Sequence, residues 1–286
     1  MQIYTHTLPG GAQLIGYLRD RTVEMPAFNT RPAILILPGG GYAWCSKREA
    51  DPVAMQFLQA GYNVFTLYYT CRSDETVPAL RWQPLIDAAG AILHIRRNAE
   101  QFGTDPAKIA ICGFSAGGHL AASTAILWDV EPVQTALGIH GTEARPDAVV
   151  LGYPVITAGE YRHDGSIVNL CGDDADLRAT MSLENQVRDG LPPFFVWHTV
   201  EDPAVPVQNS LMLAGALTAH KVPLELHLFA HDGHGTSTCT REVNTPNKHN
   251  SAWVALCTDW LAETFDFHLQ QEMTKHENHV LRAAPL

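Results

Sequence analysis

Continuous apolar runs recur along this chain, each separated from the next by helical spacing, and that alternation constrains the fold more than any other feature. The runs are Ala33–Leu37, Tyr62–Tyr68, Ile109–Cys112, Ala148–Leu151, Phe194–His198 and Leu224–Phe229. A run that is apolar throughout suits a strand buried on both faces. Helical patterns cover Ser46–Ala60, Leu85–Phe102, Ala116–Leu127, Val207–His220 and Ser251–His268, the first two stopped by Gly61 and Gly103. This order predicts an α/β fold with a mostly parallel central sheet and helices on both faces. Ile3–Thr7 and Gln13–Arg19 add a leading antiparallel hairpin around Pro9-Gly10-Gly11.

No repeat or low-complexity linker divides the 286 residues, so residues 1–268 are read as one domain. Two stretches break the alternation, Asp129–Pro146 and Ile156–Pro193. The second leaves the carboxyl end of a predicted strand, where α/β sheets place their binding sites. Residues 156–193 are therefore expected to form a small cap that sets substrate choice, against the alternative of a plain solvent-exposed connection. The polar tail, 269–286, is open between a disordered end and an oligomer contact, which keeps a homo-oligomer among the options.

A formal net charge of -11 argues against a nucleic-acid partner or an anionic membrane surface, since both need clustered Lys and Arg. The first residues lack the basic and apolar regions of a secretory leader, and no apolar run approaches membrane-spanning length. The 6 cysteines are scattered without a C-x-x-C and read as reduced thiols, so a cytoplasmic protein is expected.

Chemistry enters at Ile109-Ala110-Ile111-Cys112-Gly113-Phe114-Ser115-Ala116-Gly117-Gly118-His119. An apolar strand runs into G-x-S-x-G and then into a small-residue helix start. That context lifts a serine hydroxyl out of the sheet on a tight turn and sets the next backbone N–H beside it. A serine needs a base to take its proton and a third group to orient the base, and elbow-type hydrolases supply them in the order Ser, Asp or Glu, His. After Phe194–His198 comes Glu201-Asp202-Pro203-Ala204-Val205-Pro206; Asp202 is favoured as the acid because Pro203 stiffens the backbone behind it, and Glu201 is the rival. After Leu224–Phe229 comes Ala230-His231-Asp232-Gly233-His234-Gly235, where His234 between two glycines is favoured as the base over His231. A metal reading of His231, Asp232 and His234 lacks a second ligand group of matching spacing, so neither a metal nor a cofactor is expected. Pro38-Gly39-Gly40-Gly41-Tyr42 supplies bare amides after an early strand, and with no Gly-Lys-Ser/Thr behind them they suit an oxyanion hole better than a phosphate cradle. The expected donors are the N–H of Gly40 or Gly41 on one side and that of Ala116 on the other. Tyr42 and Trp44 are candidate acyl or sugar contacts over the pocket, with packing aromatics as the alternative.

Together with Pro192-Pro193 and Trp197-His198-Thr199, these ordered blocks resemble the α/β-hydrolase esterases, in particular the acetyl-xylan and feruloyl esterase-like branch near the hormone-sensitive-lipase-like carboxylesterases. The likeness runs from about Ala33 to the last helix. Pro38 stands where lipase relatives carry the His of H-G-G-G, and Phe114 where they carry Asp; both look more like the sugar-ester branch. The resemblance implies the α/β-hydrolase fold and acyl-ester hydrolysis, with Ser115 as nucleophile, His234 as base and Asp202 as orienter. The expected substrate is a small-molecule acyl ester or acetylated sugar. A peptidase or amidase on the same fold, and a non-catalytic binding protein, remain as alternatives.

Overall fold

A computed structural model describes residues 1–269. The sheet has eight strands: β1 (Gln2–Thr7), β2 (Gln13–Leu18), β3 (Arg31–Leu37), β4 (Asn63–Tyr68), β5 (Thr104–Phe114), β6 (Ala148–Gly152), β7 (Phe194–Thr199) and β8 (Leu224–Phe229), in the spatial order β1-β2-β4-β3-β5-β6-β7-β8. From β4 to β8 the neighbours pair in parallel, while β1 pairs β2 and β2 pairs β4 antiparallel. The chain thus has the mostly parallel α/β sheet expected of it.

Every residue of β3 is buried, because the strand lies inside the sheet with a helical layer on each face. Its side chains alternate: Ala33, Leu35 and Leu37 enter the core formed with α2 (Gln83–Arg97), α4 (Ala116–Ile126) and α8 (Gln208–Ala219). Ile34 and Ile36 enter the opposite core with α1 (Asp51–Gln59) and α9 (Ala252–Phe265). The edge strand β8 is only partly covered.

Helix lengths depart from the periodicity in places. The Ser46–Ala60 segment is a short 3-10 turn, Lys47–Glu49, followed by α1, whose start is set by Pro52. The Leu85–Phe102 pattern breaks at Asn98 into α2 and a one-turn α3 (Ala99–Phe102), as the Asn98 side chain caps the carbonyl of His94 at 2.8 Å. Asp129–Pro146 is not all loop but holds α5 (Glu131–Leu137), and 156–193 holds α6 (Asp164–Cys171) and α7 (Ala175–Thr180). The expectation for the tail concerns residues almost all outside those described. Among the described residues no helix is long and apolar enough to cross a membrane.

The strand direction is what matters for the site. Pro38 follows β3, Ser115 follows β5, Tyr153 follows β6, Asp202 lies just beyond β7 and His234 just beyond β8. Parallel pairing puts all of these ends on one edge of the sheet.

Candidate active site

Ser115 sits between β5 and α4 with φ 54 and ψ -121, a conformation that costs a non-glycine residue about 1–3 kcal/mol. Neighbouring backbone holds it there: its N–H donates to Gly152 O at 3.0 Å, and its carbonyl accepts from Val155 N at 3.1 Å. The glycines around it answer to space. A Cβ on Gly113 would lie 2.0 Å from Gly117 O, and one on Gly117 would lie 2.2 Å from Leu37 O. The elbow and α4 therefore press onto β3 with no room for a methyl group.

Asp202 and His234 meet at the serine. His234 Nε2 lies 2.8 Å from Ser115 Oγ, and His234 Nδ1 lies 2.6 Å from Asp202 Oδ2. The carboxylate can only accept, so Nδ1 carries the proton and Nε2 is left to accept from the serine hydroxyl. Asp202 is fixed by its other oxygen, which accepts from Ala204 N and Val205 N at 2.9 Å each. Burial pushes the Asp202 carboxyl up, but hydrogen bonds from His198 and His234 and the Val205 N–H override it and hold the group well below the usual carboxylate range. The rivals pair elsewhere: Glu201 Oε1 lies 3.0 Å from His231 Nδ1, on the exposed rim. Asp232 accepts from Asn247 Nδ2 at 3.0 Å, a contact that shapes its own loop. Among the described residues no group of three or more His, Cys, Asp and Glu is arranged to hold a metal ion.

The glycine turn lies against the serine. A Cβ on Gly39 would come within 2.9 Å of Ser115 Cβ. Gly39 N donates to Glu49 Oε2 at 2.8 Å, whereas the N–H groups of Gly40, Gly41 and Ala116 have no protein acceptor among the described residues. Gly40 and Gly41 take φ 127 and 65, angles that a side chain would resist. The turn is held from outside by α6, whose Asn169 Nδ2 donates to Gly41 O at 2.9 Å.

Tyr42 departs from the expectation that it overhangs the pocket. It is fully buried, and burial keeps its hydroxyl protonated. The φ of 60 at Tyr42 turns the ring inward, where the hydroxyl lies 2.8 Å from His119 Nδ1. His119 Nε2 lies 2.9 Å from Met181 O and must donate to it, so Nδ1 accepts from Tyr42. Trp44 is the opposite case: it is 63% exposed and its ring edge would lie 3.0 Å from a Cβ on Gly40. It stands free at the turn.

Other groups at the site escape a reading of the sequence. His198, at the end of β7, lies 3.3 Å from Asp202 Oδ2 through Nε2 and 2.7 Å from Ser210 Oγ through Nδ1. His163 caps α6 through Nδ1, which accepts from Ser166 N at 3.2 Å, and so keeps its proton on Nε2. Burial and then the nearby His234 lower its pKa, making it a neutral donor beside Gly41. The signal that pointed towards it is the place of 156–193 after β6. Glu49, buried next to Gly39, had none beyond Pro52, which excludes it from the helix that follows.

Residues 23–217 match the BD-FAE family. The chain is 39% identical over 231 residues to endo-1,4-beta-xylanase B of Butyrivibrio fibrisolvens, covering 80% of this chain and 35% of that one. It is 28% identical over 235 residues to an acetylxylan esterase of Xylanibacter ruminicola, covering 79% of this chain and 44% of that one. The chain thus spans less than half the length of these two curated relatives. The crystal structure of an acetyl ester-xyloside bifunctional hydrolase from Caldicellulosiruptor lactoaceticus superposes with a TM-score of 0.77 at 34% identity, covering 91% of this chain and 90% of that one. The chain belongs to the BD-FAE family and has the α/β-hydrolase fold.

Proposed function

We propose that this protein is a serine esterase that removes acetyl or other short acyl groups from xylo-oligosaccharides or related sugars. The observation that carries the reading is the unbroken line of Ser115 Oγ, His234 and Asp202, at 2.8 and 2.6 Å, next to a turn whose Gly40 and Gly41 N–H groups, like that of Ala116, have no acceptor among the described residues. Ser115 Oγ attacks the ester carbonyl while His234 Nε2 takes its proton. Asp202 holds the imidazolium, and the N–H groups of Ala116 and of Gly40 or Gly41 receive the oxyanion. His234 then protonates the leaving alcohol. Water repeats the cycle on the acyl-enzyme, releasing the acid and restoring the serine.

The sugar-ester preference draws support from the two relatives whose names carry an acetyl ester of xylan or a xyloside, and from Trp44, an exposed flat face at the turn. His163, within 156–193, stands beside Gly41 at the same turn. The test is a panel of acetylated xylo-oligosaccharides, 4-nitrophenyl esters of rising chain length and aminoacyl anilides. The highest kcat/KM is expected on an acetylated sugar, with a decline as the acyl chain lengthens. A peak at long acyl chains overturns the short-acyl assignment, and faster anilide turnover makes the protein an amidase.

A further inference from the structure

Glu49 is a carboxylate buried beside the glycine turn that the proposed reaction does not use. It is 3% exposed, and its two oxygens are taken by Gly39 N at 2.8 Å and Tyr153 Oη at 2.7 Å, with no ion pair to Lys, Arg or His among the described residues. A buried charge without a countercharge opposes folding unless its hydrogen bonds compensate, so a stabilising role alone explains it poorly.

Its partners lead to both halves of the site. On one side Gly39 begins the turn that carries Gly40 and Gly41. On the other, Tyr153 donates its proton to Glu49 and accepts from Ser237 N at 2.8 Å, three residues past His234. Ser237 Oγ donates in turn to the carbonyl of Arg48, the residue before Glu49. The Tyr153 ring stands edge-on to the His234 imidazole with centroids 4.9 Å apart. Burial and the adjacent Glu49 charge keep the Tyr153 hydroxyl protonated, as its donor role requires.

We propose that Glu49 is a positioning residue which, through Tyr153 and Ser237, fixes the spacing between the oxyanion turn and the His234 loop around Ser115. The role rests on the serine-esterase reading above. A carboxylate suits it because both Gly39 and Tyr153 donate, and an acceptor-only group takes both. Glutamine keeps one acceptor but turns an NH2 towards the phenol, whose own proton then loses its acceptor. Aspartate is one methylene too short to span the two.

The experiment compares wild type, Glu49→Gln and Tyr153→Phe in 4-nitrophenyl acetate turnover and in the rate at which a fluorophosphonate labels Ser115. Each substitution is expected to lower kcat by about 10- to 100-fold while KM stays within about twofold, with labelling slowed in parallel. The double variant is expected to lose no more than about twofold beyond the worse single, since both cut the same connection. Folded Glu49→Gln with unchanged kcat and labelling overturns the proposal, as does full additivity. Should Glu49→Gln not fold, Tyr153→Phe decides by the same criteria. Absence of ester turnover in wild type would sink the esterase reading instead, and the labelling rates would still judge Glu49.

Discussion

Asp202 Oδ2 is shared by two imidazoles, 2.6 Å from His234 Nδ1 and 3.3 Å from His198 Nε2, while Oδ1 takes two backbone N–H groups. The carboxylate is thus held by its own loop and does not depend on His234 for its place. Asp202→Asn is expected to keep the fold but present an NH2 or a weaker acceptor to His234, favouring the tautomer that cannot accept from Ser115. Esterase kcat should fall by about 10⁴-fold with little change in KM. Steady-state kinetics on 4-nitrophenyl acetate check this, with circular dichroism confirming the fold.

Acid is expected to weaken the protein in two separate windows. Burial lowers the His119 pKa from 6.5 to about 4, against the opposing hydrogen bond to Met181. His119 is neutral in the fold and protonates more readily when unfolded. Its contribution is therefore complete above 6.5 and is lost as pH falls towards 4, on the order of 3 kcal/mol in all. Asp202 has a lowered folded pKa, so its contribution fails only below the ordinary value of 3.8. Urea unfolding at pH 7.5, 6 and 4.5 should give falling midpoints in wild type and a flatter trend in His119→Gln.

Tyr42 and Trp44 are expected to separate stability from recognition. Tyr42→Phe removes the hydroxyl from His119 and should cost about 1–2 kcal/mol, leaving KM within about twofold. Trp44→Ala, exposed at the turn, should leave the thermal midpoint unchanged and raise KM for an acetylated xylo-oligosaccharide by about 3- to 10-fold. Equal effects of Trp44→Ala on a sugar ester and on 4-nitrophenyl acetate would remove the sugar contact.

Gly117→Ala tests the close approach of α4 to β3. The added methyl would lie 2.2 Å from Leu37 O and 2.4 Å from Pro38 O, both backbone atoms that cannot swing aside. A loss of about 1–3 kcal/mol in urea unfolding is expected, against a near-neutral outcome if the helix simply shifts.

The strands were legible because a run such as Ala33–Leu37, covered by a helical layer on either side, must be apolar at every position. Ser115, Asp202 and His234 were visible for a related reason: each follows the end of such a run, and their separation in the chain is closed by strand pairing alone. Helices α5, α6 and α7 escaped because 7, 8 and 6 residues carry too few turns for a period, and Pro132 reads as a loop. Tyr42 was ambiguous because its hydroxyl's partner lies 77 residues away. Glu49 was invisible because Tyr153 lies 104 residues on and nothing local hints at the pairing.

Asn169 ties α6 to the carbonyl of Gly41. Whatever is inserted after β6 therefore also grips the peptide beside the proposed oxyanion donors. Grafting a foreign loop there to change the preferred alcohol would disturb the rate constant as well as the preference. Directed evolution of this protein should find that new selectivity arrives slow, and that second-round changes cluster where α6 meets the glycine turn.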